Sequence, residues 1–133
     1  MTGPRMQVGA MTIGAARPRE LARFYAAMLG WDVTALDGPR PGKPPEDGWA
    51  QIRPPEGDSG LTINFESEAN YRRPVWPSVE GEQVATQHLD IGVDDLAAAV
   101  AWAQEQGATL AEFQPQEHVR VMIDPDGHPF CLF

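Results

Sequence analysis

One pattern of segments occurs twice in this chain, and a repeat of this kind constrains the fold more than any single motif does. In the first half the alternating stretch MQVGAMTIG precedes an amphipathic segment, RPRELARFYAAMLG, and a strand-like WDVTAL. In the second half HLDIGV, DDLAAAVAWAQEQG and ATLAEF follow in the same order. Further strand candidates complete each half, WAQIR and GLTINFE in the first and HVRVMI and PFCLF in the second. The sequence therefore predicts the order βαβββ twice.

Residues that begin and end helices stand where the repeat needs them. Pro18 has the fixed φ that suits a first helical turn, and Gly30 can take the left-handed conformation that ends a helix. In the second half Asp94 or Asp95 is the predicted cap and Gly107 the predicted end. Each predicted helix has one apolar face, made by Leu21, Phe24, Tyr25, Met28 and Leu29 in the first and by Leu96, Ala99, Val100 and Ala103 in the second.

A long linker separates the two halves. The first module is predicted at about residues 6–66, the linker at about 67–85 and the second module at about 86–133. The linker contains Tyr71 and Trp76. A connection of this length inside a small domain either packs on the surface or serves a function. Its aromatic side chains are thus predicted to dock on the domain, or to form a lid over a ligand or a dimer contact.

Composition restricts the class of protein. The formal net charge of −9 argues against binding to nucleic acid, which depends on clusters of Lys and Arg. No apolar stretch approaches the roughly 20 residues that span a bilayer, so no membrane association is expected. The single cysteine excludes an internal disulfide and provides no reason to expect secretion. The sequence predicts one globular domain in the cytoplasm.

Side chains alternate along a strand, so the two faces of each predicted strand can be assigned. The faces predicted to pack on the helices carry Leu61, Ile63, Phe65, Leu89, Ile91, Val93, Val119, Val121, Ile123, Phe130 and Leu132. The opposite faces are predicted to line a small-molecule site, because such sites combine a few polar groups with apolar walls. The predicted lining is Thr62, Asn64, Glu66, His88, Asp90, Arg120 and Cys131, with stacking surface from Trp49, Tyr71 and Trp76.

Three segments support a family resemblance. LARFYAAMLGW, HLDIGVDDLAAAVAWAQEQGAT and DPDGHPFCLF, set in paired βαβββ modules, resemble the vicinal oxygen chelate superfamily over nearly the whole chain. Within it the chain looks like the small glyoxalase-like bacterial branch of the glyoxalase, bleomycin-resistance and dioxygenase group. The resemblance implies an α+β fold with two modules side by side, forming a curved mixed sheet with a U-shaped cleft and helices on the outer face. It also implies a homodimer.

Members of this superfamily that use a metal hold it with a residue from the first and the last strand of each module, usually His or Gln and Glu. Carried onto this chain, the first strand of the second module supplies His88, which matches the pattern. The first strand of the first module supplies Ala10 or Met11, neither of which suits a divalent ion. The last strand of the second module has Cys131 where metal-using members have Glu.

The remaining ligand position falls on the last strand of the first module. It is occupied by Thr62, Asn64 or Glu66, and only Glu66 is a strong ligand, if the register allows it. A zinc ion held by His88, Glu66, Cys131 and water is an arrangement known for catalytic zinc, but it requires a thiolate. We therefore expect no cofactor. A divalent metal, if one binds, is expected at His88 and Glu66.

The tail DPDGHPFCLF contains a turn and a cysteine-bearing strand. Gly127 is predicted to permit the backbone reversal, and His128 is expected either to be exposed or to fix the hairpin. A free cysteine in an apolar strand is usually a small buried side chain, which is the favoured interpretation of Cys131 over a nucleophile.

Two functions from different classes agree with these residues. The first is a glyoxalase/bleomycin-resistance-like protein that binds a small organic molecule in the cleft between the modules without the usual divalent metal. The second is a glyoxalase-like enzyme, of lyase, isomerase or dioxygenase type, acting on a small oxygenated metabolite. In that enzyme His88 and Glu66 serve as metal ligands or as acid/base groups, and Arg120 binds an anion. Whether the protein is an enzyme is left open by the sequence.

Overall fold

A computed structural model describes residues 3–133, which separate into two compact units that divide between Glu68 and Ala69. The first unit has a four-stranded sheet in the order β1-β4-β3-β2, in which β1 and β4 are parallel and the other pairs antiparallel. Its elements are β1 (Ala10–Ala15), α1 (Pro18–Leu29), β2 (Asp32–Asp37), β3 (Trp49–Arg53) and β4 (Thr62–Ser67).

The second unit repeats this topology with the order β5-β8-β7-β6, again with a parallel pair, β5 and β8, at one edge. Its elements are β5 (Asp90–Ile91), α2 (Leu96–Gln106), β6 (Thr109–Leu110), β7 (Arg120–Ile123) and β8 (Pro129–Leu132). The predicted order βαβββ is thereby confirmed twice, and the eight strands form two four-stranded sheets.

Helix α1 begins and ends as the sequence predicts. Pro18 lies in its first turn, and Gly30 ends it with φ of 71° in the left-handed region. Leu21 and Tyr25 are almost completely buried, and the Tyr25 ring stacks on that of Phe65 at a centroid distance of 5.7 Å. The helix therefore packs its apolar face against β4, where Ile63 and Phe65 are buried as predicted.

Helix α2 is capped by Asp95, whose side chain accepts a hydrogen bond of 3.0 Å from the backbone N–H of Ala98. This settles the choice between Asp94 and Asp95. Gly107 follows the helix at φ of 121°. Ala103 is the buried residue of the helix, and Phe130 and Leu132 of β8 lie in the core of the same unit.

The predicted faces of β7 are wrong. Cross-strand partners point to the same face of a sheet, and the register pairs Met122 with Phe130 and Val121 with Cys131. Met122 is fully buried with Phe130, so Met122, not Val121, lies on the core face. Val121 is also buried, on the opposite face. Because both faces of β7 carry a buried apolar residue, alternation alone could not identify the core face.

Strand β5 is shorter than the predicted segment HLDIGV, yet its ladder extends beyond the two residues of the strand. Cys131 N–H donates to the carbonyl of Leu89 at 2.8 Å, and Val93 N–H donates to the carbonyl of Phe133 at 2.7 Å. The parallel pairing therefore spans the segment from Leu89 to Val93.

Strand β6 is also shorter than its predicted segment, ATLAEF, and the side chain of Gln114 pairs with β7 beyond its end. The Gln114 amide donates to the carbonyl of Val121 at 2.9 Å and accepts from the Val121 N–H at 2.8 Å. The amide thus pairs with β7 as a further strand residue would.

No helix within residues 3–133 is both long enough and apolar enough to cross a membrane.

Candidate functional site

The second unit brings together a histidine, a carboxylate and a thiol at the edge of its sheet. Asp90 of β5 is the register partner of Cys131 of β8, and His88 lies two residues before Asp90, on the same face. One ligand atom from each of the three side chains lies within 4.8 Å of the others. The His88 Nε2 and Asp90 Oδ1 atoms are 3.2 Å apart, with half or more of each side chain exposed. Among the described residues this is the one such group of His, Cys, Asp and Glu.

The protonation of Cys131 decides what this trio can do. Burial raises the pKa of the Cys131 thiol, and the negative charge of the neighbouring Asp90 carboxylate raises it further. The cysteine is therefore a protonated thiol near neutral pH. A nucleophilic cysteine needs the opposite environment, with cations or a base that stabilise the thiolate.

The first unit carries a row of hydrogen-bonded polar side chains on the sheet face that corresponds to the face of His88, Asp90 and Cys131 in the second unit. Thr34 Oγ1 donates to Gln51 Oε1 at 2.9 Å, and Gln51 Nε2 donates to Asn64 Oδ1 at 3.0 Å. Thr12, the register partner of Asn64 on β1, lies on the same face beside the end of the row. Because both donors of Asn64 Nδ2 lack a partner among residues 3–133, the row ends in an oriented amide donor.

One aromatic side chain and two acidic side chains flank this row. Trp49 of β3 and Glu66 of β4 are register partners, as are Trp49 and Asp37 of β2. Trp49 is partly exposed, whereas Glu66 and Asp37 are exposed. This face of the first unit thus offers a ring surface beside two carboxylates and the amide row.

The registers of the two units show which positions correspond. Ile63 and Phe65 match Phe130 and Leu132 as the buried residues of β4 and β8. It follows that Asn64 corresponds to Cys131. The parallel pairs then make Thr12 of the first unit the counterpart of Asp90 in the second unit. Ala10 is likewise the counterpart of His88.

This correspondence tests the implied metal site. In the first unit the positions of His88 and Cys131 are held by Ala10 and Asn64, so the unit does not supply the expected pair of strong ligands. Glu66 lies two residues beyond Asn64 on β4, at the position that corresponds to Phe133. A metal set with ligands from both units therefore does not fit these residues.

The cluster of His88, Asp90 and Cys131 in the second unit has the types of donor atom that bind zinc. Imidazole, carboxylate and thiolate are all zinc ligands, and three such ligands leave a fourth position for water. Zinc would have to displace the thiol proton and the hydrogen bond between His88 and Asp90. His88, Asp90 and Cys131 are the side chains that would hold it.

Arg120 does not share a face with Cys131. Its register partner is Leu132, which is buried, and its guanidinium Nη1 donates to the carbonyls of Glu117 and Val119, both at 2.9 Å. The side chain therefore stabilises the loop before β7. The expectation that it lies with His88, Asp90 and Cys131 is wrong, for the same reason that the faces of β7 were misassigned.

The linker aromatics dock within the second unit. The Tyr71 hydroxyl donates to the carbonyl of Asp126 at 2.6 Å, and the Trp76 ring stacks on Phe113 at a centroid distance of 5.6 Å. The prediction that these aromatic side chains dock on the domain is confirmed. Thr62, the remaining predicted site residue, is partly exposed at the start of β4, next to Ala10 on β1.

Two features of this site were not predicted. Gln51 connects Thr34 with Asn64 by hydrogen bonds, and it lies on the same sheet face as Trp49. The alternation of side chains within WAQIR would have predicted that face. Asp90 was predicted to line the site, but its contacts with both His88 and Cys131 depend on the register of β5 against β8. No pattern in the sequence specifies that register.

The fold is that of the vicinal oxygen chelate superfamily, as the sequence resemblance implies. The chain belongs to the glyoxalase-like domain family, whose model matches residues 10–133. A comparison with curated protein sequences finds no match.

Several solved structures share the fold. One is TnmS3, an antibiotic-binding protein from Streptomyces sp. CB03234, with 20% identity, a TM-score of 0.59 and coverage of 98% of this chain and 97% of that chain. Another is a glyoxalase family protein from Enterococcus faecalis, with 20% identity, a TM-score of 0.61 and coverage of 96% and 95%. A third is the fosfomycin resistance protein FosX from Listeria monocytogenes, with 10% identity, a TM-score of 0.66 and coverage of 97% and 93%.

Proposed function

We propose that this protein binds a small organic molecule without a divalent metal, and that the ligand contacts the exposed sheet face of the first unit. The observation that carries the proposal is the hydrogen-bonded row from Thr34 through Gln51 to Asn64 beside Trp49. Its side chains are held by one another, so their polar atoms are oriented before a ligand arrives, which lowers the cost of binding. The antibiotic-binding relative supports a role of this class.

The side chains of this face indicate which class of ligand it would bind. The Asn64 amide can donate to a carbonyl, and the Trp49 ring can stack on a planar group. Glu66 and Asp37, register neighbours of Trp49, favour a positive charge next to that ring and disfavour a negative one. The proposed ligand is therefore a planar or aromatic molecule with a hydrogen-bond acceptor and a cationic group.

Tryptophan fluorescence tests this proposal directly. Matched aromatic compounds that differ only in carrying an ammonium or a carboxylate group should be titrated into the protein. We expect quenching by the cationic member of a pair, lost in Trp49→Phe and retained in Trp102→Phe, which alters an exposed tryptophan of α2. Quenching that survives Trp49→Phe, or an equal response to both members, would refute the proposed site.

A second candidate function is a zinc-dependent enzyme of the glyoxalase-like type. The observation that favours it is the cluster of His88, Asp90 and Cys131. Zinc held there would supply a Lewis acid for a substrate oxygen. In a metal-free enzyme His88, paired with Asp90, is the candidate acid/base group; Glu66 belongs to the first unit's face instead.

Zinc titration separates the two candidates. The zinc-dependent enzyme requires binding of one zinc ion per chain, lost in His88→Ala, with protection of the Cys131 thiol from alkylation. The metal-free binder predicts that added zinc leaves the alkylation rate of Cys131 unchanged. Sedimentation velocity of the same samples would test the predicted homodimer.

A further inference from the structure

A surface cavity lies where the first turn of α1 meets the loop of residues 38–48. Its volume is about 220 Å³, and it is lined by Arg17, Arg19, Glu20, Arg23, Pro45 and Glu46. It shares no residue with the sheet face that carries Trp49, Gln51 and Asn64. A ligand in this cavity would therefore occupy a separate site, whether or not the sheet face binds a ligand of its own.

The guanidinium of Arg19 is fixed at one side of the cavity. Its Nη2 donates to the carbonyl of Pro45 at 2.6 Å and to that of Asp47 at 3.3 Å. Its Nε is buried beside Gly48, where an added Cβ would lie 3.1 Å from it. Because the protein already holds this side chain in place, a ligand would not have to order it on binding.

The loop on the other side of the cavity is also fixed. The Asp47 carboxylate is buried and accepts from the backbone N–H of Arg40 at 2.9 Å and from its guanidinium at 2.7 and 3.0 Å. Pro45 and Glu46 belong to the loop that this ion pair closes. The wall that they form is therefore held both by Arg19 and by Arg40.

Two cationic groups at the cavity have donors without an acceptor. Within residues 3–133 the Nη1 of Arg19 has no hydrogen-bond partner and, unlike Nε, is open to solvent. Arg23, one helical turn further along α1, is exposed and makes no hydrogen bond or ion pair with any described residue. Like charges four positions apart on a helix repel each other. An anion between the two side chains would relieve this repulsion.

The start of α1 adds to the positive potential. The helix has no side-chain cap, and the carboxylate of Glu20 in its first turn pairs with Arg17 at 2.9 Å rather than with Arg23. The N-terminal end of a helix carries a partial positive charge that favours an anion. This contribution is secondary to that of the guanidinium groups.

We propose that this cavity is an oxyanion site that binds a phosphate group between Arg19 and Arg23. Guanidinium groups match phosphate oxygens in geometry and are always charged. A carboxylate has two oxygens, which one guanidinium can satisfy, whereas a phosphate offers enough acceptors for both arginines. Glu46 lines the same cavity, opposes an anion and so limits the affinity.

A titration of the full-length protein with inorganic phosphate, followed by its backbone amide resonances, tests the site. At constant ionic strength we expect saturable shifts of the amides of Glu20 and Glu46, two residues that line the cavity. Sodium acetate, added in the same way, should bind about fivefold or more weakly, since one guanidinium suffices for its carboxylate. Shifts that do not saturate, or equal affinity for phosphate and acetate, would overturn the proposal.

Three single substitutions locate the binding. Arg23→Gln changes an exposed side chain with no partner among the described residues, so the fold should be retained while phosphate binding weakens about three- to tenfold. Arg53→Gln, at an exposed position on β3 outside the cavity, makes the same change in net charge and should leave binding unchanged. Glu46→Gln removes the opposing carboxylate and should tighten binding about two- to fivefold. Equal effects of Arg23→Gln and Arg53→Gln would show that phosphate responds only to net charge, and the site would be refuted.

A phosphate monoester identifies the source of the bound group. Because the cavity is open at the surface, it can receive phosphate as the free ion or as the end group of an organic molecule. Glycerol 2-phosphate should be compared with inorganic phosphate in wild type and in Arg23→Gln. Tighter binding of the ester that is lost in Arg23→Gln assigns the site to an organic phosphate, and equal or weaker binding assigns it to the free ion. An ester that binds wild type and Arg23→Gln equally well would contradict the site.

Discussion

The Asp90 carboxylate lies beside the thiol of Cys131, its register partner on the neighbouring parallel strand, with a carboxylate oxygen within 4.8 Å of Sγ. The pair explains why the cysteine in the tail of this chain is a protonated thiol near neutral pH. Burial and the adjacent negative charge both act against the thiolate.

Removal of the Asp90 charge should therefore activate the thiol. In Asp90→Asn the pKa of Cys131 should fall, and alkylation by iodoacetamide at pH 7.5 should become about three- to tenfold faster, since the thiolate is the reacting form. Cys131 is the only cysteine, so total thiol loss reports on this site alone. Asp94→Asn, in the exposed residue before the α2 cap, is the matched control; an unchanged rate in Asp90→Asn would contradict the assigned cause.

The acid sensitivity of the first unit should depend on Asp47. This buried carboxylate makes contacts of 2.7 and 3.0 Å with the Arg40 guanidinium, and these hold its pKa well below the usual range. A depressed pKa contributes stability that is complete above the unfolded-state value, near 3.8, and is lost as the pH falls further.

Thermal melting across pH 2–7 checks this dependence. The midpoint of Asp47→Asn should lie below that of wild type at pH 5–7, and the difference should shrink below about pH 4. Glu46→Gln, at the neighbouring exposed position, should show no such convergence. A difference between Asp47→Asn and wild type that is constant with pH would mean that the ion pair is not its source.

Much of the fold could be predicted because local signals agreed with the tertiary structure. Gly30 and Asp95 mark helix ends by backbone chemistry that operates within a few residues. Ile63 and Phe65 alternate with polar residues on β4, so one face is unambiguous. The prediction failed on β7, where Val121 and Met122 are both buried and only the pairing with β8 distinguishes the faces.

The candidate site was less predictable because its contacts cross between strands. The face of Asn64 follows from alternation, but its bond with Gln51 depends on the register of β3 against β4. Similarly, Tyr71 and His128 are separated by 57 positions and meet only in the folded unit. Sequence patterns identify which side chains share a strand face; they do not specify their partners on other strands.

Gly127 should be intolerant of any side chain. Its φ of 98° disfavours all other residues, and an added Cβ would collide with Cγ of Arg73. We expect Gly127→Ala to lower the free energy of unfolding by about 1–3 kcal/mol. Part of this loss should be recovered in the double variant with Arg73→Ala, measured by urea denaturation, since the collision is then removed. Strict additivity of the two changes would show that backbone strain alone is responsible.

The corrected faces of β7 lead to a last prediction. Met122 is fully buried against the core with Phe130, whereas Val119, predicted from alternation to face the core, is only partly buried. Met122→Ala should therefore lower the free energy of unfolding by about 2–5 kcal/mol, as expected for a cavity in a packed core. Val119→Ala should cost about 1 kcal/mol or less. Urea denaturation of the two variants measures both values. The opposite ranking would restore the face assignment made from alternation and would return Arg120 to the face of Cys131.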